Sequence, residues 1–210
     1  AMYNDLNLPV RFQMTPGPSE PEPRVLRAMT IPILGQFDPD FLNVMDDTKE
    51  LLRYLFQTKN QQAYAVDGTS RAGLEAVLCS IIEPGDKVLV PSFGRFGPLL
   101  AEIASRCGGD VHIIEKEWGT VFKPSEIIDA IKSVKPKIVA VVHGETATGQ
   151  MQPLSEIGEF CRENDILFMV DAVASAGGVD VRTDEWNIDA VVTGSQKCLA
   201  VPTGMAPLTY

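Results

Sequence analysis

Histidine is scarce in this chain, and with it any arrangement that would hold a metal. The 210 residues include only His112 and His143, and neither stands at metal-ligand spacing from the other or from a cysteine. Cysteine is sparse too. Cys79, Cys107, Cys161 and Cys198 are scattered, with no Cys-x-x-Cys pair, so they read as reduced cytosolic thiols and not as a disulfide framework. Positive charge is in deficit: 18 Lys and Arg against 28 Asp and Glu give a net charge of −10. That argues against a general nucleic-acid-binding surface, although backbone amides can still hold an anionic ligand locally. No apolar run approaches the roughly 20 residues of a membrane span. The stretch from Ala1 to Pro9 lacks the basic and apolar regions of a secretory signal. The expected setting is cytoplasmic, with no membrane partner.

What the chain does have is alternation. The proline-rich stretch Met14–Pro23 is expected to be extended. A helix is expected from Asp38, which can cap it, with Pro39 in its first turn and Phe41, Leu42, Met45, Leu52, Leu55 and Phe56 at helical spacing. Strand patterns then follow at 63–66, 87–90, 111–114, 137–142, 166–170 and 190–193. Helical patterns intervene at 69–82, up to about 107, 124–134 and 153–164. Such alternation predicts an α/β fold with a mostly parallel sheet flanked by helices. Several of these strands are almost wholly apolar, as strands covered on both faces are.

Two segments stand out at the strand ends. Ile166-Leu-Phe-Met-Val-Asp171 ends in a carboxylate, and Asp189-Ala-Val-Val-Thr-Gly-Ser-Gln-Lys197 closes on an amine. Parallel strands deliver both to the carboxyl edge of the sheet, where ligands bind. A lysine for a Schiff base and an aspartate for a pyridinium nitrogen are what pyridoxal phosphate requires. Singly, each residue is more ordinarily a solvated loop lysine or a helix-capping aspartate. A third segment, Val66-Asp-Gly-Thr-Ser-Arg71, opens a helix with Gly68, Thr69 and Ser70 and suits a monophosphate; a plain capped helix has the same look. Phe93 and Phe96, in Pro91-Ser-Phe-Gly-Arg-Phe-Gly97, offer an aromatic wall. In His143-Gly-Glu-Thr-Ala-Thr-Gly149 the hydroxyls and the carboxylate could serve a cofactor or a substrate, or simply hold a turn. All these loops follow strands, so all point to one edge.

Thr15-Pro-Gly-Pro18, His143–Gly149, Val170-Asp-Ala-Val-Ala-Ser-Ala-Gly-Gly178 and Gly194-Ser-Gln-Lys197 together resemble the class V, fold-type I pyridoxal-phosphate aminotransferases. The resemblance covers nearly the whole chain. It implies a large domain over 36–210, incomplete here, behind an N-terminal extended segment over 1–35. It also implies a C-terminal small domain that this chain does not include. By position, Lys197 looks like the Schiff-base lysine and Asp171 like the pyridinium partner, with Val173 beneath the ring. Phe96 falls at the stacking position, and Gly68, Thr69, Ser70 and Arg71 in the phosphate cradle. Thr146 and Gln196 fall at further cofactor contacts, and Gly17 near the substrate carboxylate. Gln36 stands where many relatives have histidine, and the cradle reads Gly-Thr-Ser-Arg. These features, with Trp118-Gly-Thr-Val-Phe122, look most like the ureidoglycine–glyoxylate branch, in which a glutamine amide suits a ureido group. The alanine–glyoxylate and serine–pyruvate branches are the alternative. A cysteine desulfurase usually has histidine before its lysine, where this chain has Gln196. A non-catalytic fragment is the remaining reading. The family further implies an amino donor and glyoxylate as substrates. It also implies a homodimer with the site at its interface, the proline-rich segment crossing the partner.

Overall fold

The computed structural model describes residues 6–210; the first five residues of the expected N-terminal segment lie outside them. Strand and helix alternate from β1 (Ala63–Asp67) through α3 (Ser70–Ile81), β2 (Lys87–Ser92), α4 (Phe96–Arg106), β3 (Asp110–Glu115), α5 (Pro124–Val134) and β4 (Ile138–Val142). A small hairpin, β5 (Gly144–Glu145) and β6 (Gln150–Met151), leads into α6 (Ser155–Glu163), β7 (Leu167–Asp171), β8 (Ala190–Val192) and β9 (Met205–Thr209). Two helices precede this series, α1 (Pro23–Ala28) and α2 (Pro39–Phe56). The expected elements are present, most within a residue or two of their expected ends.

The seven-stranded sheet has the order β1-β9-β8-β7-β4-β2-β3. Strands β3, β2, β4, β7 and β8 pair in parallel. Strand β9 runs against both β1 and β8, so it alone is reversed. Its direction follows from its connection: the chain returns from Val192 to Met205 with no helical crossover, and antiparallel pairing needs none.

The central strands show why both faces are covered. All five residues of β4 are buried. Ile138, Ala140 and Val142 join one core with Leu74, Leu78, Leu100 and Met169 under α3 and α4. Val139 and Val141 join the other, with Phe56, Phe93, Ile127, Ile131, Ile157 and Phe168 under α2, α5 and α6. This is the period-2 alternation of a strand between two helix layers. Phe56, Phe93 and Phe168 are wholly or almost wholly inaccessible, and each contributes roughly 1.5–3 kcal/mol relative to an exposed ring.

The N-terminal segment departs from expectation in one respect. It is not extended throughout, because Glu22 caps the short helix α1 with Pro23 in its first turn. It also docks on its own chain. The Ser19 N–H donates to the Gln196 carbonyl at 2.7 Å, the Ser19 hydroxyl to the Lys197 carbonyl at 2.6 Å, and the Glu22 N–H to the Ala200 carbonyl at 3.0 Å. These bonds strap down the loop that carries Lys197.

Candidate active site

The carboxyl ends of the parallel strands open onto a cavity of about 330 Å³. Strand β7 delivers Asp171 and the turn with Val173. The loop after β8 delivers Gln196 and Lys197, and the loop after β4 delivers Thr146. Helix α3 begins at the wall with Thr69, Ser70 and Arg71, and α4 begins there with Phe96. Nine of the residues singled out from sequence thus line one cavity. A larger open groove of about 1680 Å³ runs between α2 and Gly177–Asp180. Among its charged residues, Arg53, Asp180 and Asp184 are engaged with neighbouring groups, and none of the residues singled out from sequence for the cofactor lines it.

Asp171 is the most strained charge in the site. It is 5 % exposed, and burial, reinforced by the nearby Glu145 charge, pushes its carboxyl up to about 6. The Val173 N–H, donating at 2.9 Å, and the more distant Lys197 charge act the other way. A buried carboxylate on a cavity wall in this condition favours a cationic neighbour. Lys197 is half-buried, and burial holds its ammonium below the usual lysine range against the opposing pull of Cys198, Asp171 and Glu145. Its Nζ donates to the Pro16 carbonyl at 2.7 Å and to Thr146 Oγ1 at 3.4 Å. A depressed amine is what a lysine needs to act as nucleophile or base near neutral pH.

The start of α3 fits an anion. Gly68 has φ +137°, a conformation that L side chains rarely adopt, and its N–H donates to the Gly204 carbonyl. Thr69 stands at the N-cap without a side-chain capping bond, which leaves its hydroxyl free for a ligand at the positive end of a 12-residue helix. Ser70, buried, lies within 3.4 Å of the Gln196 amide. The cradle, the carboxylate and the amine therefore share one wall system with Phe96. These features fit the phosphate, ring nitrogen and aldehyde carbon of pyridoxal phosphate.

Gly68 itself stands behind the cradle and shapes the turn without lining the cavity. Gly17 lies against the stem of Lys197: a Cβ there would sit 2.8 Å from Lys197 Cδ and 3.0 Å from Nζ, at φ +143°. Gln36 is not brought in. It is exposed on the turn before α2 and does not line the cavity that holds Lys197 and Asp171. Of the two roles open to Glu145 in the sequence, its contacts on this chain are those of a turn holder. Its Oε2 accepts from the Phe96 N–H at 2.9 Å and its Oε1 from the Ala147 N–H at 2.9 Å. Both oxygens clamp the start of α4 to the Thr146 loop. An amide presents only one acceptor to these two donors. Glu145→Gln is therefore expected to cost roughly 1.5–3 kcal/mol of stability, checked as a lowered thermal midpoint.

Thr203 and Leu99 line the cavity unforeseen. Thr203 stands just before the reversed strand β9, where no periodicity points to a site. The Pro16 carbonyl, within the motif Thr15–Pro18, also reaches Lys197 without any side-chain signal.

The family model for aminotransferase class-V matches residues 33–209. The chain belongs to the class V aminotransferases. It is 63 % identical over 206 residues, 98 % of its length, to the (S)-ureidoglycine–glyoxylate transaminase of Bacillus subtilis, covering 50 % of that protein. The crystal structure of the ureidoglycine–glyoxylate aminotransferase from B. subtilis superposes with a TM-score of 0.97 over 99 % of this chain and 54 % of its own. The alanine–glyoxylate aminotransferase of Drosophila melanogaster is 40 % identical over 98 % of this chain and 52 % of its own length. This class V chain thus spans about half the length of the curated relatives it matches. Among the described residues, no helix is long and apolar enough to cross a membrane.

Proposed function

We propose that the full-length protein is a pyridoxal-phosphate aminotransferase that moves the amino group of (S)-ureidoglycine to glyoxylate, giving oxalurate and glycine in purine catabolism. The supporting observation is the cavity that joins Lys197, Asp171 and the α3 cradle, in a chain 63 % identical to a relative named for that reaction. Bound there, the cofactor supplies an aldehyde carbon that carries the amino group and a ring that accepts electrons from the donor's breaking Cα–H bond.

The chain's own residues divide the remaining work. Asp171 would face the ring nitrogen and favour its protonated form, which would offset the buried carboxylate's charge. Lys197 anchors the cofactor. With the cofactor bound, its neutral Nζ would take the proton from the donor carbon and hand it back. The Pro16 carbonyl and Thr146 hydroxyl orient that amine between transfers. Thr69, Ser70 and the Arg71 backbone hold the phosphate, Phe96 and Val173 wall the ring, and Gln196 braces Ser70.

We further propose a cytoplasmic homodimer. Leu51 and Tyr54 on α2 are 67 % and 85 % exposed, an apolar surface that a second subunit would cover. Gln36, exposed on its own chain, would serve the neighbouring subunit's cavity in such a dimer. Gly17, against Lys197, leaves room for the donor carboxylate.

The deciding experiment is a donor screen with glyoxylate on full-length protein, with ureidoglycine generated in the assay by a preceding enzyme. Ureidoglycine is expected to outcompete alanine and serine. The Drosophila relative keeps alanine as the second reading, and a wild-type preference for alanine or serine would establish it. Gln36→Ala is expected to cut ureidoglycine turnover about 10- to 100-fold, because a buried polar group left unpaired costs roughly 1–3 kcal/mol. Alanine turnover should change little. Equal losses with both donors would make Gln36 a structural residue.

A further inference from the structure

Cys79 and Cys107 are 28 residues apart in sequence and in contact in space, with Sγ atoms 2.9 Å apart. Cys79 lies in the last turn of α3 and Cys107 is the C-cap of α4. We propose that these two thiols are an oxidation site: a peroxide closes them into an intrachain disulfide that ties the far ends of α3 and α4 together.

The approach is set by backbone, not by loose side chains. The Gly85 N–H donates to the Gly108 carbonyl at 2.9 Å, and the Asp110 N–H to the Asp86 carbonyl at 2.8 Å. These bonds fix the turn after α3 against the turn after α4. The parallel pairing of β2 with β3 begins immediately beyond them, at Lys87 and Asp110. The two sulfurs are thus presented to each other by a rigid frame. A disulfide bond is ~2.05 Å long, so closure asks for a movement of about 0.9 Å, within reach of side-chain rotation.

The two cysteines differ in a way that assigns their roles. Cys79 is exposed, whereas Cys107 is partly covered. Burial and the Cys79 contact push the Cys107 thiol up to about 12, so it keeps its proton at neutral pH. Cys79 therefore meets the oxidant. Its thiolate attacks one peroxide oxygen, the O–O bond breaks, and the sulfur becomes a sulfenic acid as hydroxide leaves and takes up the proton the thiol had released, forming water. The Cys107 sulfur then attacks the Cys79 sulfur. The S–O bond breaks, and hydroxide departs with the Cys107 proton as water. Two thiols lose two electrons, and hydrogen peroxide gains them to become two waters. In a reducing compartment the pair rests as thiols and returns to them by thiol exchange.

The link matters for the cavity because α3 and α4 both begin at its wall, with Ser70 and Phe96. Joining their distant ends pins the pair as one body.

The test uses full-length protein treated with hydrogen peroxide, then alkylated and mapped by peptide mass. The expected product is one linked peptide pair containing Cys79 and Cys107, lighter by two hydrogens and restored by dithiothreitol. Its thermal midpoint should rise by a few degrees over the reduced protein. Cys79→Ser, at an exposed position, should abolish both the link and the rise while leaving the reduced midpoint unchanged. Cys107→Ser should leave Cys79 as a sulfenic or sulfinic acid. The proposal is overturned if Cys79 stays unreacted, if it oxidises beyond the sulfenic acid with Cys107 still alkylatable, or if the link joins two chains.

Discussion

Replacing Lys197 with alanine is expected to lower turnover at least about a thousandfold, since positioned proton transfer alone contributes roughly 10²–10⁴-fold and the covalent anchor is lost with it. Borohydride treatment of the wild-type holoenzyme, followed by peptide mapping, should place the pyridoxyl group on Lys197 and on no other lysine. Lys59 and Lys87 are the informative controls. Lys59 lies at the distant α2 groove, and the Lys87 ammonium donates to the Val134 carbonyl on the opposite edge of the sheet. Label on either would displace Lys197 from its role. Lys197→Arg separates two effects: it keeps a cation beside Thr146 yet offers no neutral amine, because a guanidinium does not deprotonate in proteins. It should be as inactive as the alanine variant. If arginine restores activity, charge rather than proton transfer is the residue's contribution.

Legibility in the sequence followed the physics of each element. Helix α5 has the expected bounds because Pro124 suits its first turn and Ile127 and Ile131 recur on one face. Asp171 and Lys197 were legible because parallel strands send their carboxyl ends to one edge, and the sheet order does so. Direction was not legible for β9. The end of the chain, Pro207-Leu-Thr-Tyr210, reads as the entry to another strand, but only the short return from Lys197 decides that β9 runs backwards. Backbone partners were equally hidden. The Pro16 carbonyl at Lys197, the two N–H groups held by Glu145 and the strap from Ser19 involve main-chain atoms, which every residue possesses. The Cys79–Cys107 contact depends on how two helix ends meet, which spacing along the chain does not encode. Gln36 marks the opposite limit: a residue with a persuasive side chain stands on an exposed turn away from its own chain's cavity.

Asp171→Asn is expected to divide stability from function. In cofactor-free protein, burial pushes the native carboxyl up to about 6 from its ordinary 3.8. The native state therefore binds the proton more tightly than the unfolded chain. The cost of the ionised carboxylate is absent below about pH 3.8, grows as pH rises toward 6 and is complete above it. Two units correspond to about 3 kcal/mol. Asparagine carries no such charge, so the cofactor-free variant should be more stable than wild type by up to about 3 kcal/mol at pH 8 and by little at pH 4. His143 acts with the opposite sign. Burial lowers it to about 4, so its neutral form supports the fold above pH 6.5 and that support is lost as pH falls toward 4. Wild type and variant share this contribution, so it cancels in their difference. With the cofactor bound the order reverses. The variant offers no charge to the ring cation, and breaking a buried charge pair costs roughly 3–5 kcal/mol, equivalent to about 10²–10³-fold or more in turnover. Denaturant melts of cofactor-free full-length protein at pH 4 and pH 8, beside turnover of the holoenzyme, check both halves. A variant destabilised at pH 8 would show that the Asp171 carboxylate supports the fold, and a fully active one would remove it from the ring nitrogen.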